Sequence, residues 1–240
     1  MHVVLASDQN LIRYVATLVR SVVMHNADVT VHLLLRGCDP PELPVRFVAY
    51  DMNKILPEFP FRRVPPHLTF SAIDRLMIPE IIPANRVLYL DVDTVVLGNV
   101  SELYRAEAGE KGIVARPSIH PAYRTVAGTL RTWGYGYRVP PEWPSFNSGV
   151  LVMDCDRLRS LDFTAGCIEL IRRHGLNDQA ALGCWCQGKF ERAQPRWNVY
   201  VSQGADQVRD WKILHWVGPK KPWHPGTPLR ACWTKFHIEQ

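Results

Sequence analysis

Apolar residues along this chain fall into short unbroken runs separated by stretches of helical period. Val3 to Ala6, Val87 to Leu90 and Val150 to Met153 carry no polar alternation, which predicts strands covered on both faces, as the inner strands of an α/β sheet are. Leu11, Val15, Leu18 and Val22 recur at intervals of three and four, predicting a helix from Leu11 to His25. Val29 to Leu35 and Val45 to Tyr50 supply two more strands, with Gly37, Pro40, Pro41 and Pro44 marking the turn between them. Phe70 to Ile82 reads as a helix bounded by Pro83, with Pro79 marking a kink or an early end. Lys212 to Val217 reads as a late strand.

The run over Val87-Leu88-Tyr89-Leu90 ends abruptly in Asp91 and Asp93, separated by one residue. In open α/β sheets the carboxyl ends of the strands are where ligands bind. Two carboxylates there repel each other unless a cation lies between them, so a divalent metal is the natural third party. A second such pair, Asp154 and Asp156, is read differently: Asp156 precedes Arg157 to Arg173, a stretch with the look of a helix, and is expected to be its N-cap. Behind the first pair, Thr94 to Leu97 continues as a short β-type run.

At 240 residues with 47% hydrophobic content, the chain can bury a large core as one domain. The net charge of +5 suits an anionic ligand, but Lys and Arg are dispersed without a long basic run, which disfavours nucleic acid. None of the six cysteines forms a C-x-x-C pair, and Cys184 and Cys186 lie in an apolar helical segment, so buried reduced thiols are expected. The first apolar run is too short for a signal peptide and lacks a basic lead, and no segment approaches a transmembrane span. A cytoplasmic protein is expected, with peripheral contact to the inner face of a membrane left open. Neither a glycine-rich dinucleotide fingerprint after the first strand nor a phosphate-binding P-loop is present, so phosphates must be met another way.

Ser118 to Pro144 shows no clear period and contains Trp133, Tyr135 and Tyr137; it is expected to be a lid or partly disordered, its rings either facing a sugar or filling a satellite core. Phe146-Asn147-Ser148-Gly149 enters the strand over Val150 to Met153, its small residues allowing close backbone approach to a ligand. Asn177-Asp178-Gln179 opens a helix, with Asn177 or Asp178 as the N-cap. Downstream, His215 ends a strand and is followed by Gly218 and Lys221, which groups an imidazole, a free backbone amide and an ammonium.

Taken in order, these motifs resemble the retaining glycosyltransferases of family eight, which include glycogenin and bacterial lipopolysaccharide galactosyl- and glucosyltransferases. The resemblance runs from Ala6-Ser7-Asp8 to Lys221-Pro222-Trp223. It implies a GT-A-type fold in a single domain over 1–240: a mixed, mostly parallel central sheet flanked by helices, with a nucleotide-binding half (1–117) and an acceptor-side half (118–240). It also implies a UDP-sugar donor, a glycan or other hydroxyl-bearing acceptor and bound Mn²⁺, with Mg²⁺ as the alternative. Carried over by position, Asp91, Asp93 and His215 match the metal ligands. Ala6, Asp8 and Asn10 match groups holding uracil and ribose, Arg75 an arginine near the donor sugar, and Val92 lies between the two carboxylates. Gly218 and Lys221 match groups on the diphosphate, and Asn147, Asp178 and Gln179 those around the transferred sugar. Ile73 and Leu11 depart from the aromatics common at those positions, so the resemblance sets the donor's class and leaves the sugar open. A sugar-nucleotide-binding protein without turnover, or a metal-dependent nucleotidyltransferase, would use many of the same residues.

Overall fold

The computed structural model describes residues 1–57 and 70–238. Strand β1 (His2–Asp8) leads into helix α1 (Ile12–His25), then β2 (Thr30–Arg36), β3 (Phe47–Asp51) and a single turn, α2 (Met52–Ile55). Two more short turns, α3 (Ser71–Asp74) and α4 (Ile78–Ile81), precede β4 (Arg86–Leu90) and β5 (Thr94–Val96). There follow α5 (Ser101–Arg105), β6 (Ile113–Pro117), α6 (Val126–Thr132), β7 (Phe146–Asp154), α7 (Cys155–Ser160), α8 (Phe163–His174) and α9 (Asp178–Cys186). The chain closes with β8 (Glu191–Arg192), β9 (Val199–Tyr200), β10 (Ile213–His215) and α10 (Arg230–Thr234).

Seven strands form one sheet in the order β3-β2-β1-β4-β7-β6-β8, and β5-β10-β9 form a small second sheet. Only β7 runs antiparallel to its neighbours in the large sheet, which is therefore mixed and mostly parallel. The missing polar alternation in β1 and β4 now has its cause. Val4, Ala6, Val87 and Tyr89 face one core, while Val3, Leu5, Leu88 and Leu90 face another on the opposite side of the sheet. From β1 the chain builds outward to β2 and β3, then returns to place β4 on the other side of β1. That reversal opens a crevice at the carboxyl ends of β1 and β4, where Asp8 and Asp91 emerge.

Two sequence expectations are corrected and a third, which left two alternatives, is narrowed. The helix expected over Phe70 to Ile82 is broken into α3, a 3₁₀ turn at Arg75–Met77 and α4, and Pro79 lies in the first turn of α4, where its missing N–H costs nothing. The expected cap Asp156 instead lies inside α7, paired with Arg159; Asp154 is the N-cap, accepting from the Arg157 amide at 3.0 Å. That helix also stops at Ser160, because Asp162 takes a left-handed conformation (φ 49°) before α8 starts. Finally, Ser118 to Pro144 is ordered, with a 3₁₀ turn at Pro121–Tyr123 and α6, whose N-cap Thr125 accepts from the Gly128 amide. The cysteines are free thiols, as expected, and burial pushes Cys155, Cys184 and Cys186 up to about 12, which makes them unreactive.

One buried ion pair ties the end of β2 to α3. Arg36, at the end of β2, grips Asp74 through Nε (2.8 and 3.0 Å) and Nη2 (2.6 Å) while donating to the Leu56 carbonyl, and the Asp74 side chain is fully buried. Arg36→Ala should therefore destabilise the protein by about 3–5 kcal/mol, because it strands a buried carboxylate. Urea denaturation at pH 7 measures this, and an unchanged midpoint would show that the pair contributes nothing.

Candidate active site

Two backbone registers bring the expected metal ligands together. The Thr94 amide and hydroxyl both donate to the Asp91 carbonyl (3.1 and 2.7 Å), closing the turn that swings the chain from β4 into β5. β5 then pairs antiparallel with β10, setting Thr94 opposite His215, and the Trp216 amide donates to the Asp93 carbonyl at 3.1 Å. As a result, ligand atoms of Asp91, Asp93 and His215 all lie within 4.8 Å of one another. His215 Nε2 is 3.2 Å from Asp93 Oδ1 and 3.9 Å from Asp91 Oδ2.

Space for an ion is kept open by Gly149 on the adjoining strand β7. A Cβ there would lie 2.2 Å from His215 Cε1 and 2.5 Å from Asp91 Oδ2, inside the cluster itself. Hard carboxylate oxygens with one imidazole form a donor set that suits Mn²⁺ or Mg²⁺ better than the larger, all-oxygen coordination of Ca²⁺. The residues present therefore fit a divalent cation.

Arg75 organises the opposite side. Its guanidinium pairs with Asp91 Oδ1 at 3.0 Å and Asp178 Oδ2 at 3.2 Å, donates to the Ser148 carbonyl at 2.6 Å, and lies over the Tyr89 ring at 4.5 Å. Burial alone would lower its pKa; Asp91, Tyr89 and Asp178 more than offset that and keep it charged. Tyr89 Oη also donates to Asp91 Oδ1, at 2.8 Å. With Oδ1 held twice, Asp91 turns Oδ2 toward His215. Asp178 is buried, which pushes its carboxyl up, with the charge of Arg75 acting against that shift.

Asn177 is the N-cap of α9, accepting from the Ala180 amide at 2.8 Å, so Asp178 and Gln179 occupy the first helical turn. Gln179 Oε1 accepts from the Ser148 amide (3.2 Å) and hydroxyl (3.3 Å). Tyr135 Oη accepts from the Asn177 amide, and Tyr137 stacks on His174 at the end of α8. Tyr135 thus braces the start of α9, which carries Asp178 and Gln179, and Tyr137 the end of α8, while Trp133 sits half-buried beside Tyr123 and Tyr135.

Nearer β1, Ala6 is buried, Asn10 is exposed, and Asp8 accepts from the Asn10 amide at 2.9 Å and the Ser71 hydroxyl at 3.4 Å. The Val92 side chain packs in the core and the residue as a whole is buried. Gly218 has φ +94°, a conformation that side chains rarely adopt. Lys221 Nζ donates to Asp93 Oδ2 and, at 3.2 Å, to the Trp216 carbonyl. The pull of His215 and Lys221 on the Asp93 carboxylate is set against burial, which would raise it, and the two hold it well below the usual carboxylate range. Trp223, two residues on from Lys221, stacks flat on Tyr14 of α1 at 4.0 Å and ties this loop to the helix that follows Asp8.

Sequence reasoning missed Tyr89, the Ser148 carbonyl and Asn198. Asn198 is almost wholly buried and its Oδ1 lies 3.0 Å from His215 Nδ1. The signal available for it was a lone amide between Trp197 and the apolar Val199-Tyr200.

The family model described as glycosyl transferase family 8 matches residues 2–226. General stress protein A of Bacillus subtilis is 23% identical, over 95% of this chain and 88% of its own length. Glycosyltransferase GlyE of Streptococcus pneumoniae is 24% identical, over 98% of this chain and 60% of its own length. Among solved structures, the galactosyltransferase LgtC, in complex with donor and acceptor sugar analogs, superposes with a TM-score of 0.78 at 20% identity, covering 98% of this chain and 95% of that one. The fold is therefore that of the GT-A glycosyltransferases. No helix among the described residues is long and apolar enough to cross a membrane. The chain belongs to glycosyl transferase family 8, as a glycosyltransferase with an Asp-Asp-His cluster at the switch point of its sheet.

Proposed function

We propose that this protein transfers a hexose from UDP-galactose or UDP-glucose to a hydroxyl of a glycan or similar acceptor, with Mn²⁺ and with retention at the anomeric carbon. The observation that carries this reading is the convergence of Asp91, Asp93 and His215 against a glycine that leaves room for an ion. LgtC, of the same fold, was solved with donor and acceptor sugar analogs, which supports a sugar nucleotide in the crevice. When bound, the cation supplies electrostatic stabilisation of the departing diphosphate.

The chain's own residues supply the rest. Asp8 and Asn10, at the end of β1, are assigned to the ribose, and the Ala6 backbone to the uracil. The Gly218 amide and Lys221 are assigned to the diphosphate, with Lys221 exchanging Asp93 for a phosphate oxygen as charge grows there. Arg75 holds Asp91 and Asp178 in register and so acts on the donor indirectly.

Gln179, with no carboxylate, cannot serve as an effective nucleophile, and the Asp178 carboxylate is buried and engaged by Arg75. Both facts support front-face attack, in which the C1–O bond to phosphate breaks as the acceptor oxygen bonds to the same face. The leaving phosphate oxygen takes the acceptor's proton. An α-linked donor should then give an α-linked product, read by proton NMR of fresh product. A β linkage would contradict the reading, and a trapped sugar adduct on Asp178 would contradict the front-face route alone.

A further inference from the structure

We infer that Asn198, which lies outside the sugar and metal contacts, is a positioning residue that fixes the ring orientation of His215 and the amide orientation of Asn147 at once. This rests on the assignment of His215 as a metal ligand. The geometry sets the direction of every bond from one fixed donor. The Gly149 backbone N–H can only donate, so the Asn147 atom 3.0 Å from it must be the carbonyl oxygen Oδ1. That same oxygen is 3.0 Å from the Asn198 amide, which must therefore present Nδ2 to it. Asn198 Oδ1 then faces His215 Nδ1 at 3.0 Å, and because an amide oxygen only accepts, Nδ1 must carry the hydrogen.

Two consequences follow for the site. In its neutral form His215 then has its lone pair on Nε2, the nitrogen facing Asp93 and Asp91, which is the tautomer a metal ligand needs. At the other end, Asn147 has spent its acceptor on Gly149 and Asn198. Its Nδ2 has no protein partner among the described residues, so Asn147 meets a sugar as a donor. Asn198 is itself held firmly, with Arg116 Nη1 donating to its carbonyl at 2.6 Å from a guanidinium stacked over the Tyr200 ring. One buried amide thus links metal binding to the group that addresses the sugar.

The test is Mn²⁺ binding in the presence of UDP, followed by electron paramagnetic resonance. Free ion is counted from the solution signal, and bound imidazole from the nitrogen modulation of the spin echo. Asn198→Ala should weaken Mn²⁺ by about 10- to 100-fold, the usual cost of losing the partner of a ligating histidine, and should alter the nitrogen modulation. Asn198→Asp keeps an acceptor on His215 Nδ1 but faces Asn147 Oδ1 with another acceptor. It should hold Mn²⁺ near the wild-type level while the preference for UDP-glucose or UDP-galactose over UDP falls by about tenfold, the scale of one hydrogen bond. The inference is overturned if Asn198→Ala binds Mn²⁺ like wild type with unchanged modulation. It is equally overturned if Asn198→Asp loses Mn²⁺ as fully as Asp93→Asn, or keeps the full sugar preference, and these results decide the matter should the alanine variant not fold. Wild-type protein that takes up no more Mn²⁺ than Asp93→Asn would instead overturn the metal assignment, and the inference with it.

Discussion

Gly149→Ala should abolish metal-dependent donor binding and lower turnover by about 10²-fold or more, the penalty of displacing catalytic groups by an ångström. The added carbon would sit 2.2 Å from His215 Cε1 and 2.5 Å from Asp91 Oδ2, against a normal contact of about 3.5–4.0 Å. Neither neighbour can retreat easily. His215 is fixed by Asn198 and by the pairing of β10 with β5, and Asp91 by Arg75, Tyr89 and its own turn. Overpacking should cost about 1–3 kcal/mol in stability, so the variant should fold and fail at binding. Calorimetry with UDP and Mn²⁺, alongside a thermal melt, separates the two effects. A folded Gly149→Ala protein that binds UDP and Mn²⁺ like wild type would show that the ion does not occupy this cluster.

Lys221→Ala carries the second large effect. Its ammonium is assigned to charge that builds on the leaving phosphate, so its loss should lower kcat by about two orders of magnitude or more, the scale of one lost oxyanion donor. The contact with Asp93 adds a distinguishing feature. If Lys221 served only to hold that carboxylate in place, its removal would weaken Mn²⁺ binding. If it exchanges Asp93 for phosphate, its removal frees a metal ligand, and Mn²⁺ affinity should hold or rise while kcat falls. Lys220, exposed and one residue earlier, should be nearly neutral on replacement. A change confined to KM would assign Lys221 to ground-state binding instead.

Much of this site was legible because its signals are local. The unbroken apolar runs of β1 and β4 mark strands buried on both faces, and carboxylates at the end of such a strand point to a ligand edge. Asn177 caps α9 as its side chain and position require. What stayed hidden depends on partners distant in the chain. Asn198 matters only because β9 pairs with β10 and carries it against His215, and nothing nearby in sequence reports that register. Tyr89 has the apolar character of its strand and reveals its hydroxyl only where β4 ends beside Arg75.

The misreadings have similar causes. The apolar period over Phe70 to Ile82 is genuine, but the segment must turn at Arg75 to bring the guanidinium onto Asp91, Asp178 and Ser148, and it does so by breaking into three pieces. In Ser118 to Pro144 the glycines and prolines masked the short helix α6, which is held by a Thr125 cap and by the bridge from Thr125 to Pro144.

The most direct measurement is phosphorus NMR of UDP-galactose or UDP-glucose incubated with the protein, with Mn²⁺ and again with EDTA. Transfer to water alone, without any acceptor, suffices to report the bond that breaks. The account predicts slow release of UDP with Mn²⁺ and none with EDTA. Release of UMP or pyrophosphate, or equal release of UDP in EDTA, would contradict it.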